Sequence, residues 1–145
     1  MFRRSITAAL TLFACFVLVL ASPSASAATS TFRDVATLHC LDSNTSGNVY
    51  AIGCNGGNFQ NWIFAGSDTT TTVRDVSTLF CLDSNTNGNV YTLPCNGGNF
   101  QKWRVERSAH RVVDVATGRC LDSNTANSVY TLPCNGGNFQ NWLHN

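Results

Sequence analysis

Charge is what this 145-residue chain has least of: Asp, Glu, Lys and Arg make up only 12% of it. With Arg3 and Arg4 set aside, seven basic residues face eight acidic ones, and no basic stripe exists. Binding a phosphate backbone needs clustered Lys and Arg, so nucleic acid and anionic membrane are poor partners. Groups for chemistry are equally scarce. Glu106 is the sole glutamate, His39, His110 and His144 are scattered, and no Ser-His-Asp set is visible. Catalysis by titration needs groups whose pKa values are pushed apart; this chain reads as a non-enzyme with no cofactor. No short C-x-x-C knuckle exists, so no metal site is expected. After Ala27 no apolar run is long enough to cross a bilayer, which argues against membrane insertion. No helical period is persuasive either. What the chain does have is Asn, Thr, Ser and Gly, a surface suited to a neutral polar partner.

The stretch before Ala28 stands apart. Arg3 and Arg4 precede an apolar run over residues 6–20, and small residues ending in A-S-A at 25–27 follow. A positive end, an apolar middle and an A-x-A cleavage site describe a secretory signal peptide. The run is about 15 residues, short of the ~20 that span a bilayer. The expectation is a leader over 1–27 and a secreted, extracellular domain over 28–145, one domain by length. Cys15 leaves with the leader. Six cysteines remain, an even number in an exported chain, which reads as disulfides.

The string C-N-G-G-N-F-Q occurs at 54–60, 95–101 and 134–140. Trp62, Trp103 and Trp142 recur at the same two intervals as Cys54, Cys95 and Cys134, and so do Asp42, Asp83 and Asp122. The mature chain is therefore three copies, about 31–71, 72–110 and 111–145. Six cysteines allow fifteen connectivities, but equivalent units should make equivalent bonds. Pairing within copies gives Cys40–Cys54, Cys81–Cys95 and Cys120–Cys134. Each copy reads as four short strands: an opening one ending in R-D-V or V-D-V, one carrying C-L-D, one alternating through N-V-Y or S-V-Y, and one starting at Q-x-W. Asn-Gly-Gly reads as a tight turn, and residues 69–72 as a loop. Four strands per copy suggest a propeller blade, but propellers typically need at least four blades. Twelve short strands in three internal repeats, stapled by disulfides, suggest an all-β fold, the β-trefoil, with one Trp per copy in a common core.

Three copies bearing C-L-D, a later Cys and Q-x-W resemble the ricin-B-type lectins over the entire mature chain. The string CLDSNTNGNVYTLPCNGGNFQKW at 81–103 is most similar to the actinohivin-like mannose-binding branch. The Q-x-W residues Gln60, Trp62, Gln101, Trp103, Gln140 and Trp142 read as structural: Trp in the core, Gln satisfying backbone groups beside it. Loss of such a Trp would cost roughly 3–5 kcal/mol. Val49, Val90 and Val129 read as core, and Asp34, Asp75 and Asp114 as turn or backbone partners.

Tyr50 with Ile52, Tyr91 with Leu93, and Tyr130 with Leu132 face away from that core. A pyranose offers an apolar face for an aromatic ring and vicinal hydroxyls for a carboxylate and an amide. The resemblance implies mannose contacts from Asp42, Tyr50 and Asn55 in the first site, Asp83, Tyr91 and Asn96 in the second, and Asp122, Tyr130 and Asn135 in the third. Ile52, Leu93 and Leu132, with Phe59, Phe100 and Phe139, would form pocket walls. The family's Tyr before Gln is Phe in all three copies, which removes a hydroxyl. Copy one reads A-I-G at 51–53 where the others read T-L-P, which loosens its strand end. Copy three has Asn127-Ser128 where the others have Gly-Asn, which reshapes its turn. The galactose-binding branch places an aromatic at 52, 93 and 132, and its absence favours mannose. The implied partners are glycans, high-mannose oligosaccharides or glycoproteins, bound by a monomer. A galactose- or xylan-binding module and a trefoil inhibitor or structural protein are the alternatives.

Overall fold

The computed structural model describes Ala21 and residues 28–144. The expected leader otherwise lies outside the described residues. Copy one contains β1 (Ala28–Ser30), β2 (Arg33–Asp34), β3 (Cys40–Ser43), β4 (Val49–Ile52) and β5 (Trp62–Phe64). Copy two contains β6 (Thr69–Thr71), β7 (Arg74–Asp75), β8 (Cys81–Ser84), β9 (Val90–Leu93) and β10 (Trp103–Glu106). It starts a few residues earlier than the repeat alone suggested, because β6 pairs with β10. Copy three contains β11 (Arg111–Asp114), β12 (Cys120–Ser123), β13 (Val129–Leu132) and β14 (Trp142–Leu143).

Fourteen strands stand where twelve were expected, because two opening strands are each broken in two. In copies one and two the chain turns its Phe32 and Val73 carbonyls to the Leu41 and Leu82 N–H groups, 2.8 Å in each case. Each broken strand serves two neighbours: β1 pairs β5 while β2 pairs β14, and β6 pairs β10 while β7 pairs β5. Residues 69–71 are thus strand rather than loop, since their backbone groups find partners on β10. Opening and fourth strands pair around a closed barrel, with β14 meeting β2 across the chain ends. The second and third strands of each copy form a hairpin, β3–β4, β8–β9 and β12–β13. This is a β-trefoil.

The core is layered by copy. Trp62, Trp103 and Trp142 are fully buried, as are Leu41, Leu82 and Leu121. Each indole N–H donates to the leucine carbonyl of its own copy, at 3.1, 2.9 and 3.0 Å, so no buried donor is left over there. Val90 and Val129 are buried, and Val49 packs against the core from its edge. The disulfides join Cys40–Cys54, Cys81–Cys95 and Cys120–Cys134.

The opening-strand aspartates hold the copies together as well as their own turns. Asp34 Oδ1 accepts from Thr37 N at 2.8 Å, and its Oδ2 accepts from Ser123 Oγ of copy three at 2.7 Å. Ser43 Oγ donates to Asp75 at 2.8 Å, and Ser84 Oγ donates to Asp114. Each serine after C-L-D therefore reaches the next copy's aspartate, and the three bonds close a ring. The signal was in the sequence, since all three copies read C-L-D-S.

Candidate carbohydrate site

Each C-L-D strand sends its Leu to the core and its Asp to the opposite face, as strand alternation requires. Asp42 then stands directly across from Tyr50, Asp83 from Tyr91 and Asp122 from Tyr130. Residues so paired have side chains on one face, Cβ atoms about 5 Å apart.

The glutamines do more than the sequence suggests. None lies in the strand with its Trp; each ends a 3-10 turn, Asn58–Gln60, Asn99–Gln101 or Asn138–Gln140, before the strand begins at Trp. Gln60 is fully buried. Its Nε2 donates to Asp42 Oδ2 at 2.7 Å and to Gly53 O at 3.1 Å, and its Oε1 accepts from Asn55 N at 2.8 Å. Gln101 binds Asp83, Pro94 O and Asn96 N at 2.7, 3.2 and 2.7 Å. Gln140 binds Asp122, Pro133 O and Asn135 N at 2.8, 3.1 and 2.8 Å. One amide thus clamps the aspartate to the turn that carries the asparagine, and the disulfide staples the same two segments. The unvarying spacing from Asp to Gln in the three copies was the available signal.

The asparagines are exposed and fixed by one end. Asn55, Asn96 and Asn135 each accept through Oδ1 from the N–H of Gly57, Gly98 or Gly137 at 2.8 Å. That leaves the Nδ2 amine as donor. The first glycine of each pair sits at φ 72–74°, a region that L side chains rarely adopt.

The aspartates are almost out of solvent, at 3, 4 and 4% exposure. Burial pushes each carboxyl above the ordinary carboxylate value, against the pull of the Gln amide and of the Ser N–H that follows. Burial likewise pushes up the Tyr50, Tyr91 and Tyr130 phenols, with the neighbouring carboxylate adding to it. Each phenol donates to the carbonyl of Ser43, Ser84 or Ser123 at 3.0–3.1 Å, which locks the ring over its strand. Ile52, Phe59 and Phe100 are half-buried, while Leu93, Leu132 and Phe139 are exposed. The Asp, Tyr and Asn of each copy therefore share one neighbourhood, with an apolar rim. Acceptor, ring and amine in that order can hold a polyol.

A separate groove of about 520 Å³ lies at the junction of copies one and three. It is lined by Thr31, Arg33, Cys40, Cys54, Gly56, Gln60 and Leu143, and it holds none of Asp42, Tyr50 or Asn55. Its chemistry is not threefold: β11 carries Arg111 and Val113 where Thr31 and Arg33 stand, and Arg104 pairs Val113 as Leu143 pairs Arg33. The triplicated Asp–Tyr–Asn geometry is the better guide to a repeated binding function. Among the described residues no group of three or more His, Cys, Asp or Glu could hold a metal ion.

Solved structures share this architecture. The designed threefold-symmetric protein ThreeFoil is 24% identical, with a TM-score of 0.71 over 80% of this chain and 96% of its own. The hemolytic lectin CEL-III is 22% identical, with a TM-score of 0.65 over 79% of this chain and 29% of its own. An exo-β-1,3-galactanase from Clostridium thermocellum is 15% identical, with a TM-score of 0.69 over 84% of this chain and 30% of its own. This chain thus spans less than a third of the lectin and of the galactanase, and at these identities the likeness shows the fold alone. A ricin-type β-trefoil lectin domain matches residues 28–142, and the chain belongs to that family of carbohydrate-binding domains.

Proposed function

We propose that the protein is a secreted, non-catalytic lectin that binds α-mannose termini, Manα1-2Man of high-mannose glycans, at three sites. The observation that carries this reading is the Asp–Gln–Asn clamp beside a locked tyrosine, repeated three times with closely matching bond lengths. A buried carboxylate accepts hydroxyl protons strongly, the asparagine amine donates, and the ring packs against the sugar's C–H face. Three repeated sites suit multivalent capture, where avidity can exceed a single site's affinity by ~10²–10⁴. Export is supported by the leader pattern and by three disulfides, which persist in oxidising compartments.

Titration calorimetry with α1,2-mannobiose tests the reading, with three equivalents bound expected. A glycan array that shows galactosides or xylan bound and no mannoside overturns the mannose assignment. Asn96→Ala is the clean single-site variant, because Asn96 is exposed; Asp83→Ala would also strand the buried Gln101 amide.

Acidification separates binding from folding. Binding needs the ionised carboxylate, so affinity falls as pH drops through the folded pKa, which lies above the ordinary carboxylate value. Stability has the opposite sign. An aspartate whose folded pKa is raised contributes most below its unfolded pKa, and that contribution is lost as pH rises through the folded one. Sugar affinity should therefore begin to weaken at a pH above the ordinary carboxylate range while these three carboxylates still favour the fold. Affinity unchanged to about pH 3, below the ordinary carboxylate range, would remove the aspartates from the site.

A further inference from the structure

The three third strands meet around the pseudo-threefold axis. Asn48 bridges Tyr91, Asn89 bridges Tyr130, and Ser128 bridges Tyr50. Each tyrosine is thus flanked on both sides: by the aspartate of its own copy and by a turn residue of the preceding copy. Antiparallel partners share a face, so Asp83, Tyr91 and Asn48 form a row about 10 Å long by strand spacing. Asp122, Tyr130 and Asn89 form the second row, and Asp42, Tyr50 and Ser128 the third.

The turn uses only the backbone of the outer residues. Asn48 N donates to Asn44 Oδ1 at 3.0 Å, Asn89 N to Asn85 Oδ1 at 3.1 Å and Ser128 N to Asn124 Oδ1 at 3.1 Å. Their side chains are exposed and take no hydrogen bond among the described residues. A free amide, or in the third row a hydroxyl, thus stands beside a locked aromatic ring at the far end from a carboxylate.

We propose that each row is a two-subsite groove built across a copy boundary, which rests on the mannoside reading above. The Asp end, with its asparagine after the second Cys, takes the terminal hexopyranose. Asn48, Asn89 and Ser128 take hydroxyls of the next sugar unit. Site two is therefore completed by copy one, site three by copy two, and site one by copy three. An amide both donates and accepts over a longer reach than a serine hydroxyl. Site one, closed by Ser128, gains least from the second sugar of a disaccharide.

The test uses the full chain carrying Asn55→Ala and Asn135→Ala, which leaves site two. Calorimetry compares methyl α-mannopyranoside with α1,2-mannobiose. Adding Asn48→Ala should weaken mannobiose roughly three- to tenfold, the worth of one lost neutral hydrogen bond, and leave the monosaccharide unchanged. Ser46→Ala, in the same turn but outside the row, should change neither. In a chain reduced to site one by Asn96→Ala and Asn135→Ala, Ser128→Asn should raise mannobiose affinity by a similar factor. Mannobiose binding untouched by Asn48→Ala, or equal losses for both sugars, overturns the inference alone. If the unmodified chain binds neither sugar, the mannoside reading fails and the subsite falls with it.

Discussion

Two of the three hairpin junctions close a glycine against a threonine, and the third closes an asparagine against an alanine. Gly47 O accepts from Thr92 N and Gly88 O from Thr131 N, both at 2.8 Å; Asn127 O accepts from Ala51 N at 3.0 Å. A Cβ on Gly47 or Gly88 would stand 2.6 or 2.7 Å from the partner's carbonyl oxygen, with the Thr Oγ1 close behind at 3.7 or 3.6 Å. Asn127 has that Cβ. Its φ is 67° against 84° and 86° for the glycines, its junction is the widest of the three, and residue 51 lacks the γ atoms that stand within contact range at the other two junctions. The two departures noted in the sequence, Ala at 51 and Asn at 127, thus meet at one contact. The same turn sets Ser128 beside Tyr50, so the junction that differs in packing also differs in what it offers a ligand.

The difference can be broken at either end, and the largest effect lies at the glycine junctions. Gly88→Ala forces a Cβ against backbone at a φ that L residues avoid, at a cost of about 2–3 kcal/mol in denaturant unfolding. Asn127→Gly, the same exchange reversed in copy three, should fall within about 1 kcal/mol of neutral. Equal costs for the two changes would show that the junctions do not differ. Next, Ala51→Thr sets γ atoms against the Cβ that Asn127 already carries and should cost about 1–2 kcal/mol alone. With Asn127→Gly in the same chain, most of that cost should vanish. A coupling near zero in the double-mutant cycle would mean that residues 51 and 127 are independent.

Much of this was legible without coordinates because the chain writes everything three times. Repetition placed the Trp core, the in-copy disulfides and the trefoil. The family resemblance named the Asp, Tyr and Asn of each copy, and the hairpin register sets each Asp across from its Tyr. Sequence reading missed what depends on contacts between copies. The Ser43–Asp75 type of bond, the shared halves of the opening strands and the bridge from Asn48 to Tyr91 all join residues far apart in the chain; the recurring C-L-D-S marks the serine, but no local pattern names its partner. The glutamines were read as strand residues for a related reason: alternation from Trp62 reaches Gln60 only if the strand extends that far, and a 3-10 turn intervenes.

A smaller effect follows from the threonines themselves. Thr92 Oγ1 and Thr131 Oγ1 are buried with no hydrogen-bond partner, whereas Ala51 has no such atom. A buried unpaired hydroxyl costs of order 1 kcal/mol or more. Thr131→Val keeps the shape and removes the orphan, so it should stabilise the fold by about 1 kcal/mol. A loss of stability would mean that the hydroxyl finds a partner, a buried water among them.

The smallest expected effect separates the copies at another turn. Leu38 and Leu79 hold φ of 62° and 61° with their side chains 53 and 55% exposed, where copy three has Gly118 at 70°. A left-handed Leu costs roughly 1–2 kcal/mol and gains little from burial here. Glycine removes that strain but is more disordered when unfolded, which returns about 0.5–1 kcal/mol to the unfolded chain. Leu79→Gly should therefore stabilise by only about 0.5 kcal/mol, while Gly118→Leu should destabilise by a similar amount. The pair of changes read together is the discriminating measurement. Opposite signs mean that backbone strain governs this turn in every copy; a loss of stability from both would mean that Leu79 makes an apolar contact strong enough to outweigh its strain.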